Sequence, residues 1–253
     1  GPEAPHLYKI HGCYYLMIAE GGTEFGHMET LARGDSPWGP WEPCPHNPIF
    51  TNRSTNRPLQ VCGHGDMVEA PDGSWWMVYL AVRPIGYPWV HVTGRETCLA
   101  PVRWNADGWP VVGEGGRLPI AFGAEMPHAM QPWPRSFDDV IVEDFAGERL
   151  DHEWNFIRHP RRGNYRLGER PGCLTLLGAA TSIDSMEQPT WLGRRQRHIH
   201  CTAQTLLHFA PGDEPQSAGE GQEAGLSVYQ NWMHHYDVAI TRRRQRNWII
   251  LRR

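Results

Sequence analysis

No stretch of this 253-residue chain comes near the roughly eighteen consecutive apolar residues that a membrane-spanning helix needs, and no long segment repeats its apolar residues at a helical period. A membrane role and a helical architecture are both left without a signal. Positive charge is not in excess either. The 24 Lys and Arg against 28 Asp and Glu give a net charge of −4, which supplies no electrostatic footprint for nucleic acid, although Arg242-Arg243-Arg244 and Arg252-Arg253 make the last stretch locally basic. Those arginines read as a solvated strand face. The six cysteines, Cys13, Cys44, Cys62, Cys98, Cys173 and Cys201, lie far apart with no C-x-x-C pair, which excludes a zinc knuckle or a small disulfide scaffold. Free thiols suit a reducing compartment and so favour the cytoplasm. No leader-like segment precedes Glu3, yet the chain opens inside what reads as a strand, so its true beginning is expected upstream and secretion stays open.

What is present is aromatic and turn-forming. Twelve Trp and 8 Tyr stand beside 27 Gly and 22 Pro, a mixture that favours short strands joined by tight turns. Aromatic rings also suit sugars, whose apolar faces stack on indole and phenol. The length allows one large or two ordinary domains, and two are expected.

Residues 7–33 read as an antiparallel meander whose apolar runs are separated by His11-Gly12 and Glu20-Gly21-Gly22. Ser36-Pro37-Trp38-Gly39-Pro40-Trp41-Glu42-Pro43 cannot be helix interior and is expected as a turn or an extended edge. A second strand pair turns at Pro71-Asp72-Gly73, with Trp75 and Trp76 on opposite faces and one of them in the core. A third pair turns at Asn105-Ala106-Asp107-Gly108. Three hairpins without intervening helices predict propeller blades or a sandwich. Residues 113–136 read as a linker with a boundary near Arg135. Strands are expected over 140–145, 173–178, 199–209, 224–229, 236–241 and 247–251, with a surface loop at 211–221.

The motifs Glu3-Ala4-Pro5-His6-Leu7-Tyr8-Lys9, Ala19-Glu20-Gly21-Gly22-Thr23, Gly63-His64-Gly65-Asp66 and Thr93-Gly94-Arg95-Glu96-Thr97 occur in one order. In that order they resemble the glycoside hydrolase family 43 β-xylosidases and α-L-arabinofuranosidases. The second half is similar to the C-terminal β-sandwich of those enzymes through Asp144-Phe145, Leu150-Asp151, Trp154-Asn155-Phe156-Ile157-Arg158, Arg170-Pro171-Gly172, Arg194-Arg195-Gln196 and Ala224-Gly225-Leu226. The resemblance implies an all-β chain: part of a five-bladed β-propeller over 1–135, then part of a concanavalin-like β-sandwich over 136–253.

It also implies inverting hydrolysis of terminal xylosyl or arabinosyl residues, which needs a protonated acid on the leaving oxygen and an ionised base holding water on the opposite face, roughly 6.5–9.5 Å apart. Glu3 matches the family's general acid in its Glu-Gly/Ala-Pro motif. The general base and the Asp that tunes the acid belong to blades expected upstream. His64 matches a pocket histidine that in some members binds a divalent cation, often calcium, mainly through waters; by spacing alone it reads as a hydrogen-bonded core residue. Arg95 matches a sugar-subsite arginine, against a purely structural ion pair with Glu96 or Glu69. His27 and Glu24 are placed on a loop near the pocket rim, with a solvated turn as the other reading, and His27 is taken as a substrate contact. Asp66, Asp72 and Asp107 sit at or near turns and are not assigned as the base. The expected partner is a xylo- or arabino-oligosaccharide, with a homo-oligomer left open. A non-catalytic carbohydrate-binding protein and an inactive remnant are the competing readings.

Overall fold

The computed structural model describes residues 1–121, 140–212 and 221–253. The expected boundary near Arg135, the greater part of the 113–136 linker and most of the 211–221 loop lie outside the described residues. Contacts divide the chain into two compact units, Gly1–Ser136 with Arg197–Ile199, and Phe137–Gln196 with His200–Arg253.

The first unit holds two four-stranded antiparallel sheets, each a meander of consecutive strands, which is the plan of a propeller blade. One contains β1 (Glu3–Ile10), β2 (Cys13–Glu20), β3 (Met28–Gly34) and the edge strand β4 (Glu42–Pro43). The other contains β5 (Gln60–Glu69), β6 (Trp75–Val82), β7 (Glu96–Trp104) and β8 (Pro110–Val112). Strict alternation sets the inward face of β2, where Tyr15, Met17 and Ala19 are buried. The β1–β2 turn places His11 and Gly12 both at positive φ, the backbone that a two-residue hairpin requires. At the β5–β6 turn the Ala70 N–H donates to the Ser74 carbonyl, and Asp72 accepts the Ser74 N–H.

Met17, Leu31, Phe50, Met77, Val112 and Leu118 are buried in the core, each stabilising the unit by about 1.5–3 kcal/mol through the apolar area it removes from water. Polar ties pin the strands at defined points. The Tyr15 hydroxyl donates to the Gly108 carbonyl at 2.7 Å, and the Arg33 guanidinium lies 4.1 Å over the Trp109 ring while bonding Glu42 at 2.8 Å. The two adjacent tryptophans of β6 are both covered: Trp75 meets Trp104 edge-on, and Trp76 is buried and donates to the Ser74 hydroxyl.

In the second unit β9 (Asn155–Phe156) pairs with β12 (Leu192–Gly193), and β10 (Tyr165–Leu167) with β11 (Leu174–Leu176). A 3-10 turn at Arg162–Asn164 precedes β10. β13 (Glu223–Asn231), β14 (His234–Arg243) and β15 (Arg246–Arg252) form an antiparallel sheet. Much of what the sequence singles out in this half is packing. Trp154 is flanked by Phe145 at 5.8 Å and by the Arg194 guanidinium at 5.3 Å, and the Asp151 carbonyl accepts the Trp154 N–H. Beneath the sheet, His235 is buried with its Nδ1 3.0 Å from Asp237 and its Nε2 3.2 Å from Asp184.

Two expected strands are absent from the described residues. Residues 140–145 and 199–209 carry the apolar content of strands but are not strands among the described residues.

Candidate active site

Four short motifs of the first unit supply the site, and each has a steric or hydrogen-bonding reason for its sequence. Glu3 opens β1 opposite Ala19, and a β-bulge follows before pairing resumes at His6. Ala4, inside that bulge, has φ 46°, the left-handed region that residues with a Cβ seldom adopt. The bulge re-aims the exposed Glu3 carboxylate relative to the regular pleat.

The Gly21-Gly22 turn closes the β2–β3 loop. Gly21 has φ 79°, and a Cβ there would run into the Gly26 carbonyl. The closed loop delivers His27, whose N–H donates to the Glu24 carbonyl and whose own carbonyl accepts the Thr51 hydroxyl at 2.7 Å. Glu24 is exposed, whereas His27 is only 1% exposed and lies beneath the surface.

Gly63-His64-Gly65 is the least regular part of β5. Pairing with β6 slips on both sides of Gly63, and Val61 and His64 both hold positive φ, at 57° and 52°. A Cβ on Gly63 would lie 2.5 Å from the His27 ring, and one on Gly65 would lie 2.7 Å from Met77 Sδ. The two glycines therefore let β5 press against His27 and the core, while His64 between them is exposed.

These segments converge electrostatically on His27. Burial, the largest effect, lowers the affinity of its imidazole for a proton; the Val61 backbone and the Glu3 carboxylate oppose this, and His64 and Arg95 reinforce it. The Val61 carbonyl acts on the ring electrostatically, but neither ring nitrogen makes a well-formed hydrogen bond. Glu3, His64 and Arg95, which the sequence places on three different strands or strand entrances, thus all act on one buried imidazole.

Arg95 is exposed, and among the described residues its Nη1 bonds the Thr23 hydroxyl, at 3.4 Å. Its expected structural partner Glu96 is held instead by Arg83, through two bonds of 2.8 and 3.0 Å, and by the Thr93 hydroxyl. Burial alone would raise the Glu96 carboxyl, but the Arg83 fork and Thr93 outweigh it and hold the group below its usual range. Glu96 thus braces the segment through Arg83 and Thr93 rather than through Arg95.

Sequence reasoning passed over Glu29. It is 1% exposed, and its Oε1 accepts the Gly65 N–H at 2.8 Å. Burial pushes its carboxyl up to about 7, the Gly65 and His64 backbone oppose this, and Glu3 and Glu20 add to it. Glu3 pairs with Ala19 and Ala19 with Glu29, so the two carboxylates come from the strands on either side of β2 at the same level of the sheet. The signal was available: Glu29 occupies the same inward phase of β3 as Leu31, an anomalous place for a charge.

Asp66 accepts the Tyr8 hydroxyl at 2.7 Å, Asp72 shapes its turn and the Asp107 carbonyl takes Arg33, so these three serve the fold. Among the described residues no group of three His, Cys, Asp or Glu side chains is arranged to hold a metal ion. His64 stands there as one exposed imidazole, and no chemical step is assigned to a metal.

Residues 1–110 match the description "Glycosyl hydrolases family 43", and residues 142–253 match "Beta xylosidase C-terminal Concanavalin A-like domain". A non-reducing end alpha-L-arabinofuranosidase of Bacteroides ovatus is 41% identical over 254 residues, covering 100% of this chain and 46% of its own length. A xylosidase/arabinosidase of Butyrivibrio fibrisolvens is 36% identical, covering 97% of this chain and 46% of its own. The solved structure of a xylan beta-1,4-xylosidase from Bacillus halodurans superposes with a TM-score of 0.84 at 32% identity, over 99% of this chain and 46% of that one. The chain spans about half the length of the curated relatives it matches. With propeller-type blades in one unit and the family's concanavalin-like domain in the other, this chain belongs to glycosyl hydrolase family 43.

Proposed function

We propose that this chain carries the acid half of an inverting glycosidase that removes terminal xylosyl or arabinosyl residues from hemicellulose oligosaccharides. The observation that carries the reading is geometric: Glu3 pairs opposite Ala19 at the end of β2, the Gly63-His64 backbone packs against the His27 ring, and Arg95 reaches Thr23 in the loop between β2 and His27. Family membership supplies the reaction class, and the names of the relatives supply the pentose substrates.

In this reading the protonated Glu3 donates to the glycosidic oxygen as the bond to the anomeric carbon breaks, so the leaving sugar departs neutral. Its exposure, at the re-aimed start of β1, gives a leaving group access. Arg95, spared from Glu96, donates to sugar hydroxyls. His27 packs under the subsite and sets its floor, and His64 contributes an exposed imidazole beside it. The general base that activates water, and the carboxylate that tunes Glu3, come from residues outside this chain.

The test is hydrolysis of aryl xylosides and aryl arabinofuranosides by the complete protein, with the anomer of the released sugar followed by proton NMR. Release of a pentose whose anomeric configuration is inverted supports the reading. Release with retention overturns the inverting mechanism. Binding of pentosides without turnover, in a protein that carries all its blades, overturns the enzyme and leaves the carbohydrate-binding alternative.

A further inference from the structure

The backbone at Val61 and His64 takes a conformation that residues other than glycine seldom adopt, most costly for the β-branched Val61, and it persists only where the surroundings hold it. The φ of His64, 52°, lies in the left-handed region, and Val61, three positions earlier, is there as well at 57°. Ladder hydrogen bonds do not impose this, because the β5–β6 register shifts between Gln60 and Gly63 and again between Gly63 and Asp66. Packing accounts for the two flanking glycines: Gly63 against the His27 ring, Gly65 against Met77 and Phe50. Neither contact touches the His64 backbone itself.

One further restraint reaches the bulge from another strand. Glu29 on β3 accepts the Gly65 N–H at 2.8 Å, a donor that the irregular pairing with β6 leaves outside the register. A buried N–H without an acceptor is costly, and a charged or strongly polar acceptor satisfies it best. Glu29 is itself fixed: its strand pairs with β2 at Ala19, and its backbone bridges to Phe50. The carboxylate thus links a rigid sheet to the irregular centre of β5.

We propose that Glu29 is a positioning residue, whose buried carboxylate pins the Gly65 N–H and thereby holds the left-handed backbone that presents His64 at the site. The functional part of this inference rests on the glycosidase reading above; the conformational part does not. Glu29 touches no substrate and acts through His64.

The test uses the complete protein with Glu29→Gln, Glu29→Leu, His64→Ala and the double variant Glu29→Leu/His64→Ala, by crystal structure and by kcat and KM on an aryl pentoside. Glu29→Gln keeps an amide oxygen for the Gly65 N–H, and His64 stays left-handed with kcat/KM within about 3-fold of the parent. Glu29→Leu keeps the volume and removes the acceptor. It moves His64 out of the left-handed region and lowers kcat/KM at least 10-fold, and the double variant is no worse than the poorer single variant. The proposal is overturned if His64 keeps its conformation in Glu29→Leu, or if the two losses multiply in the double variant. Should Glu29→Leu not fold, the Gln variant decides: a displaced His64 with the amide in place overturns the proposal, and an unmoved one supports it. If His64→Ala leaves kcat/KM unchanged while Glu29→Leu displaces His64, the positioning role stands and it is the glycosidase reading of His64 that fails.

Discussion

At the scale of single residues, the site is shaped by what a few positions cannot accommodate. Gly63 faces the His27 ring so closely that a methyl would sit 2.5 Å from it, and the buried ring has little room to retreat. Gly63→Ala is therefore expected to destabilise the first unit by about 1–3 kcal/mol, the usual cost of overpacking, measured by chemical denaturation. A variant of unchanged stability would show that His27 can move aside. Glu96 makes a different prediction. Its carboxyl lies below its usual value near 4.5 in the folded chain, so the Arg83 pair stabilises the fold above that value and the contribution disappears as pH falls through the lowered one. Glu96→Gln should lower the urea midpoint at pH 7, and the gap to the parent should narrow below about pH 4; a gap independent of pH would contradict the assignment.

At the scale of elements, the hairpins separate what sequence shows from what it hides. Pro71-Asp72-Gly73 and Asn105-Ala106-Asp107-Gly108 are legible because residues with preset or permissive φ mark the turn, and the flanking alternation fixes the strands. The β14–β15 turn carries no such mark. Arg244 and Gln245 adopt positive φ, at 49° and 61°, without glycine or asparagine, because the long ladders on either side hold them there. Arg244→Asn with Gln245→Gly is expected to stabilise the second unit by about 1 kcal/mol, read from its thermal midpoint. No gain would mean that the turn is unstrained. Segments 140–145 and 199–209 show the limit of local reading: composition reports β-propensity, whereas strand pairing depends on residues far away in the chain, and neither segment is a strand among the described residues.

At the scale of the whole molecule, the all-β character and the blade-like meanders follow from alternation and turn chemistry, which act over a few residues and so leave their trace in sequence. The site is different in kind. Glu3, His27, His64 and Arg95 come from separate strands and loops, and no periodicity relates them; only their resemblance to a family pattern singled them out. Glu29 leaves a local trace, a charge in the inward phase of β3, but its contact with Gly65, 36 residues away, is not encoded by any local pattern. The central claim is that Glu3 is the proton donor to the leaving group, and it is tested most directly by comparing kcat/KM of the complete protein and its Glu3→Gln variant on two aryl pentosides, one with an acidic phenol and one with a poorly acidic one. The account predicts a loss of about 10²–10⁴ on the poor leaving group and a much smaller loss on the good one, which needs little protonation. Equal losses on both substrates, or none on either, would contradict it.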